Sequence, residues 1–411
     1  MTYFALTLWV WQQTQSATAI ALILIFYQLP QMAIALFSGM AIDRISRKRL
    51  LALSDTGAAC CTISVGILAA FGILQLWHIY VIAAVIGCFG NIHSLTYSTL
   101  IPSIVPQQHH ARASSMGAIV GYGAGIFSPA LAGVLYPSIG LLGITAIDMT
   151  TFAIAMLTLL FIQIPPIAKQ EREAKIETNK PNVWHNITFG FRYIASQPSL
   201  LATMIAMSAF SFLNQIGETL YQPMILARTG GDTEILGTVV AASGIGGVMG
   251  AIAVSVWGGF RRRIFGVLAG FIGTGVSKLL LGLGHLPAVW VAGRFASSLH
   301  NPLIMSSYMA IWYAKVAPDR QGRVFAADYI VGIAIESSAG LSAGLLADRV
   351  FEPAMRSGGW LAVHLGAIVG TGTGSGMAVL YAINATGILL VGAAGFAIRR
   401  LRDVEAIAID R

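Results

Sequence analysis

Residues 39–49 read Gly39-Met40-Ala41-Ile42-Asp43-Arg44-Ile45-Ser46-Arg47-Lys48-Arg49 and lie between two apolar runs, 17–37 and 50–72. A helix of about 20 apolar residues, rising 1.5 Å per residue, crosses the ~30 Å hydrocarbon core of a bilayer. Each flanking run is that long, so the basic segment reads as a short loop between two membrane crossings. Lysine and arginine are retained on the cytoplasmic side, which fixes the face of this loop. Gly39 allows two helix ends to approach closely, and Asp43 can face a helix amino terminus or an arginine.

The same reading extends along the whole chain. Full-length apolar runs occupy 17–37, 50–72, 77–100, 114–139 and 141–164, and then, after a polar stretch, 200–226, 235–257, 264–283, 289–312, 324–346 and 377–398. A shorter apolar piece at 2–11 reaches only about half of the hydrocarbon core. It has no basic segment before it and no small-residue cleavage site before Ala17, so it reads as a first span shortened at its amino end rather than a signal peptide. The expected architecture is an all-α membrane protein of two six-helix bundles: 1–164, a cytoplasmic central loop at 165–198, and 199–411. Within the loop, Trp184, Ile187, Phe191 and Ile194 recur at helical spacing and predict an amphipathic helix on the cytoplasmic surface. Its first part, 169–180, reads equally as a plain tether.

Composition agrees with lipid as the main solvent. The chain is 56% apolar and 10% charged, with a mean hydropathy of +0.74, where a soluble domain carries about 25% charged residues. The net charge of +8 would raise the question of nucleic acid in a soluble protein. Here the basic residues sit in loops on one side. Of 25 lysines and arginines, only Arg228, Arg349 and Arg356 fall on the opposite side, and Lys278 and Arg294 fall inside spans. That alternation holds without skipping a span, and it places the central loop and the carboxyl terminus in the cytoplasm of a multi-pass cell-membrane protein. No basic stretch is interleaved with aromatics, so no nucleic-acid partner is expected. Cys60, Cys61 and Cys88 lie in apolar runs without CxxC spacing and read as small core residues. The chain has no Walker loop, HExxH or G-x-S-x-G, so neither an enzyme, a primary pump, a metal site nor a cofactor is expected.

The 39–49 segment resembles the signature loop of the major facilitator superfamily, G-x-x-x-D-R-x-x-R-K-R, in its expected place between the second and third spans. The resemblance implies that Gly39, Asp43, Arg44, Arg47, Lys48 and Arg49 form a gating motif that balances outward-open and inward-open states, with Arg47, Lys48 and Arg49 reading first as topological anchors. The equivalent loop of the second half, 257–263, keeps Arg261, Arg262 and Arg263 without an aspartate, as a decayed internal duplicate would. Gly117, Gly121, Gly125 and Pro129 give the fifth span a small-residue packing face that resembles the glycine-proline signature of exporters. The segments 310–318, 321–326, 346–353 and 370–376 resemble the enterobactin-exporter and macrolide-efflux-like branch, although Thr373 and Ser375 stand where that branch has proline and arginine.

Charged residues inside spans cost about 2.5–3.5 kcal/mol each on insertion scales, so they face a cavity or a partner. Asp55, Asp148 and Lys278 lie near run ends or alone and read as snorkelling or loop contacts; Asp328 and Glu336 are further candidates. Glu218 is different, standing in the seventh span in a polar stripe with Asn214, Gln215, Tyr221 and Gln222. The resemblance implies a central cavity lined by Glu218 together with Asn91, His93 and Tyr97 of the fourth span and Arg294, His300 and Asn301 of the tenth. An imidazole or a desolvated carboxylate can exchange a proton near neutral pH; interhelical hydrogen bonding is the alternative for both histidines and for Glu218. The expected function is secondary active transport, with proton-coupled efflux of amphipathic small molecules implied by the resemblance. The alternatives are a nutrient uptake permease and a non-transporting membrane partner or receptor. The expected partners are the lipid bilayer, a small-molecule substrate and protons, with the protein acting as a monomer.

Cysteines introduced at Arg47 and Arg262 should react with a membrane-impermeant maleimide only in everted vesicles. Labelling of either position on intact cells would break the topology.

Overall fold

In lipid, peptide groups must find their hydrogen bonds within the chain, and helices do this locally. The computed structural model describes residues 1–44, 46–104, 110–162 and 183–405, without the side chains of 32, 35–44, 98–104, 110–122, 125, 183–187, 318, 319 and 322. Among the described residues all regular structure is helical. The elements in order are α1 (Thr2–Thr14), α2 (Ala17–Arg44), α3 (Arg47–Ala70), α4 (Leu76–Ile104), α5 (His110–Phe161), α6 (Val183–Ser196), α7 (Pro198–Arg228), α8 (Thr233–Trp257), α9 (Arg263–Leu283), α10 (Pro287–Lys315) and α11 (Pro318–Leu346). A π-helical turn (Ala347–Phe351) follows, then α12 (Glu352–Met355), α13 (Ala362–Val369), α14 (Ser375–Ala397) and α15 (Arg399–Arg402).

Every predicted span has a helix. At 1.5 Å per residue, α5 would be about 78 Å long, far more than one crossing needs. It is two spans in succession, divided at Gly140 (φ 61°, ψ −167°), a conformation open to glycine because it has no Cβ. Eight helical stretches among the described residues are long and apolar enough to cross a membrane. That set is smaller than the predicted one for three reasons. The two halves of α5 count once, α2 is represented only by its apolar part Ala17–Gln31, and α10 carries Arg294, Ser297, Ser298, His300 and Asn301 along its length. The sequence reading has no element between 346 and 377, where the π turn, α12 and α13 lie; at eight residues, α13 is too short to register as a span.

The chain divides into two compact units. The first consists of Met1–Val10, Leu22–Ala124 and Val134–Val183. Within it α3 packs along α4, and Asp148 of α5 accepts hydrogen bonds from the Thr2 backbone N–H (2.9 Å) and from the Thr2 hydroxyl. Asp148 therefore caps the amino end of α1, where unpaired N–H groups and the helix dipole favour a carboxylate. This replaces its reading as a snorkelling residue.

The second unit consists of Trp11–Ala21, Gly125–Gly133 and Trp184–Arg411. Its helices α8, α9, α10 and α14 pack in the sequence α8 on α10, α10 on α9 and α9 on α14, while α7 lies against α11 and α14. The α8 and α10 backbones meet at Gly246 and Gly250, where an added Cβ would lie 2.3 Å from Phe295 O and 2.2 Å from Leu299 O. That spacing is the small-xxx-small pattern by which helices approach closely in lipid. Two further carboxylates cap helix ends. Asp348, on the π turn, accepts from Ser16 Oγ (2.6 Å), Ala17 N (3.1 Å) and Thr18 N (2.9 Å) at the start of α2. Glu352 accepts from Met377 N (2.8 Å) and Gly374 N (3.2 Å) at the start of α14. The predicted amphipathic helix is α6. Ile194 is buried, a Cβ at Gly190 would meet Arg323 O at 2.4 Å, and the Arg323 guanidinium lies 4.0 Å from the Phe189 ring centroid. So α6 docks on the basic end of α11 through its own backbone, while Phe191 stays exposed.

Replacing Gly250 with leucine should force α8 and α10 apart and cost about 1–3 kcal/mol, the usual range for overpacking a tight core. A lowered thermal midpoint of the purified protein checks this, with Ser255→Ala on an exposed part of α8 as the control.

Candidate functional site

In α7 the residues Asn214, Gln215, Glu218, Tyr221 and Gln222 recur at three and four residue steps, so they share one helix face. The face is polar because it receives charges from two other helices. Arg294 of α10 donates to both carboxylate oxygens of Glu218, Nη1 to Oε1 at 2.6 Å and Nη2 to Oε2 at 2.7 Å. Lys278 of α9 donates from Nζ to Oε1 of Glu218 at 2.9 Å and to Asn214 O at 3.1 Å. Fork-to-fork pairing of guanidinium and carboxylate is among the strongest arrangements a side-chain pair can adopt. The guanidinium also stacks on Tyr221, 4.2 Å from the ring centroid, and Lys278 Nζ lies 5.9 Å from the centre of Tyr381 on α14. Both contacts place a cation over an aromatic face.

The three charges sum to +1. The cations are held behind the anion: the Lys278 side chain is 2% exposed and Arg294 9%, while Glu218 keeps 27% of its surface open. Gly217 is adjacent to Glu218, and a Cβ there would sit 3.2 Å from Lys278 Nζ, so glycine leaves room for the ammonium. Arg294 Nε, Gln222 Oε1 and Tyr381 Oη are buried without hydrogen-bond partners, leaving polar capacity beside the ion pairs.

Of the residues singled out from the sequence, Glu218, Arg294 and Asn214 come together here. Gln215 is half-buried in α7 and Asn301 is exposed on α10. His300 engages its own helix, with Nδ1 2.7 Å from Ala296 O and its ring over Gly273. In the first unit His93 faces Asp55 with Nε2 to Oδ1 at 3.6 Å, and Asn91 is buried with an unpaired Oδ1. Asp55 therefore has a histidine partner rather than a loop contact. Of the gating motif, Arg47, Lys48 and Arg49 open α3, and Lys48 Nζ donates to Leu160 O (3.0 Å) and Ile162 O (2.8 Å). The side chains of Asp43 and Arg44, and Gly39 with them, lie outside the described residues. So do Gly117, Gly121 and Gly125 of the packing face. Pro129 is described, and its carbonyl oxygen lies 3.0 Å from the Cβ position of Gly237.

Lys278, like Asp148 and Asp55, was misjudged from sequence. It is buried in an ion pair rather than snorkelling, and the signal was present: it is the one charge inside the apolar run of α9. Tyr381 gave no such signal, because a tyrosine in a transmembrane run has no pattern of its own.

Residues 1–332 match the sequence profile of the Major Facilitator Superfamily. The chain belongs to this superfamily. Among its relatives, the uncharacterized MFS-type transporter YfiS of Bacillus subtilis strain 168 is 26% identical over 338 residues, covering 78% of this chain and 76% of that protein. Macrolide efflux protein A of Streptococcus pyogenes is 22% identical over 351 residues, covering 84% and 85%. The fold is similar to the crystal structure of a D-xylose-proton symporter, with a TM-score of 0.68 at 11% identity over 99% of this chain and 96% of that one. The molecule is thus a multi-pass major facilitator transporter, and the charged cluster lies in the second unit of that fold.

Removing one member of a buried ion pair leaves its partners uncompensated, and the cost is about 3–5 kcal/mol. Glu218 is partly open, so Glu218→Gln should fall near the lower end and reduce the thermal midpoint markedly. The double variant Glu218→Gln with Lys278→Met removes one of the stranded cations and should recover part of that loss; equal instability of single and double variants would contradict the pairing.

Proposed function

We propose that this protein is a proton-driven exporter of amphipathic small molecules, in which Glu218 is the coupling carboxylate. Two halves, 1–164 and 199–411, joined by the cytoplasmic segment 165–198, rock about a midplane site in the cell membrane, and a monomer suffices. The observation that carries this reading is the single anion shared by two buried cations. A proton and the pair Arg294 and Lys278 compete for the same carboxylate. Protonation of Glu218 frees both cations and so gives the bundle two electrostatic arrangements, which is what a coupled transporter needs.

The partial exposure of Glu218 supports access of a proton to the pair. His93 with Asp55 is a second group through which a proton can pass in the first unit. The 39–49 loop acts as the conformational gate, with Asp43 and Arg44 making and breaking its contacts and Lys48 anchored on the end of α5. The small-residue face from Gly117 to Pro129 supplies close packing. Export rather than uptake is supported by the similarity to macrolide efflux protein A along most of the chain.

Everted vesicles containing the wild-type protein should accumulate a radiolabelled macrolide when the lumen is made acidic relative to the bath, and lose it when the gradient is collapsed. Glu218→Gln should remove the gradient response while the protein remains inserted. A wild-type flux indifferent to the gradient would contradict coupling, an unchanged Glu218→Gln flux would remove Glu218 from the mechanism, and flux in the opposite sense would make the protein a permease.

A further inference from the structure

A cavity of about 380 Å³ lies in the same unit, between α7, α10 and α11. It faces Ser208 and Ser211 rather than Glu218, which is two turns or about 10 Å further along α7. Two carboxylates of α11, Asp328 and Glu336, line it. Eight residues apart on one helix, they are separated by about 12 Å along its axis. Asp328 accepts a hydrogen bond from Tyr308 Oη at 2.8 Å. Among the described residues no lysine, arginine or histidine pairs with either carboxylate. Two acids therefore face a space inside a transmembrane bundle with no cation among the described residues to balance them, a costly arrangement that ordinarily marks a ligand path.

The rest of the lining suits an organic cation rather than a metal ion. Met207, Met305 and Met309 offer soft, adaptable thioether surface. Trp312, Phe325 and Tyr329 present aromatic faces, which attract a positive charge through the ring quadrupole. Trp312 is 1% exposed and packs on Tyr308 with ring centroids 5.5 Å apart, which fixes its ring in the wall. The cavity also lies in the half of the bundle nearest the basic helix ends at Lys315, Arg320 and Arg323, which on the export reading is the side from which a compound enters.

From this lining we infer that the cavity between α7, α10 and α11 binds an amphipathic organic cation, its charge facing Glu336 and Asp328 and its apolar body lying on the methionine and aromatic wall. The site is distinct from the Glu218 cluster; that its occupant is a transported compound rests on the export reading. Gly332 provides a way to close the site without touching its charges, because nothing lies within 4 Å of a Cβ placed there and the residue lines the cavity.

Tetraphenylphosphonium and tetraphenylborate share a shape and differ in sign, so their binding to the purified protein in lipid nanodiscs isolates charge from hydrophobicity. The wild type should bind the phosphonium and reject the borate. The pair Asp328→Asn with Glu336→Gln should weaken phosphonium binding by about tenfold or more, and Gly332→Phe should abolish it with both acids intact. Phosphonium affinity of the amide pair within about twofold of wild type, or equal affinity of the wild type for the two probes, would overturn the site. Flux in everted vesicles separates the two readings. Phosphonium binding that needs the carboxylates but is not followed by gradient-driven flux keeps the site and removes the export reading. Flux that survives both the amide pair and Gly332→Phe keeps export and removes the site.

Discussion

The hydrocarbon interior of a membrane offers nothing with which a peptide group or a charge can pair, so every polar atom placed there must be answered by another part of the chain. Helices answer the backbone along their length and leave unpaired N–H groups at their amino ends. Carboxylates from distant sequence meet that need at several of these ends. Asp148 caps α1, Asp348 caps α2, and Glu352 caps α14. These carboxylates are in this sense structural, tying helix ends to parts of the chain far away in sequence.

The remaining acids within the second unit differ in how they are answered, and that difference separates two sites. Glu218 is met by a guanidinium and an ammonium, giving a cluster of net positive charge whose balance turns on one carboxylate. Among the described residues Asp328 is met by a tyrosine hydroxyl, and neither it nor Glu336 by a cation. The first is the arrangement proposed as a switch between paired and unpaired states. The second sets two carboxyl groups against an open space. Both use α7 and α10, so the cavity and the ion-pair cluster share two helices.

The spans were legible in the sequence because lipid permits few solutions. Hydropathy with one-sided placement of lysine and arginine located each crossing, including the division of α5 at Gly140. The polar stripe on α7 was legible as well, since amides and an acid at helical spacing are conspicuous in an apolar run. The partners of Glu218 were legible only in part. Arg294 was recognised through the fold it implies, whereas Lys278 was taken for a snorkelling residue because its counter-ion lies 60 residues away and sequence spacing carries no information about distance between helices. The α7, α10 and α11 cavity was equally hidden: Asp328 and Glu336 stood out as charges, but nothing in sequence spacing brings the methionines and aromatics of three helices together around them.

In the proposed cycle one carboxylate, Glu218, alternates between a proton and the cations Arg294 and Lys278. Infrared difference spectroscopy of the protein in lipid, recorded as the pH is lowered, detects the carbonyl stretch of a newly protonated carboxylic acid. The expected result is such a band in the wild type whose intensity falls in Glu218→Gln and is unaltered in Glu336→Gln at the same frequency. A wild-type spectrum that Glu218→Gln leaves unchanged would contradict the claim, because the proton would then reside elsewhere.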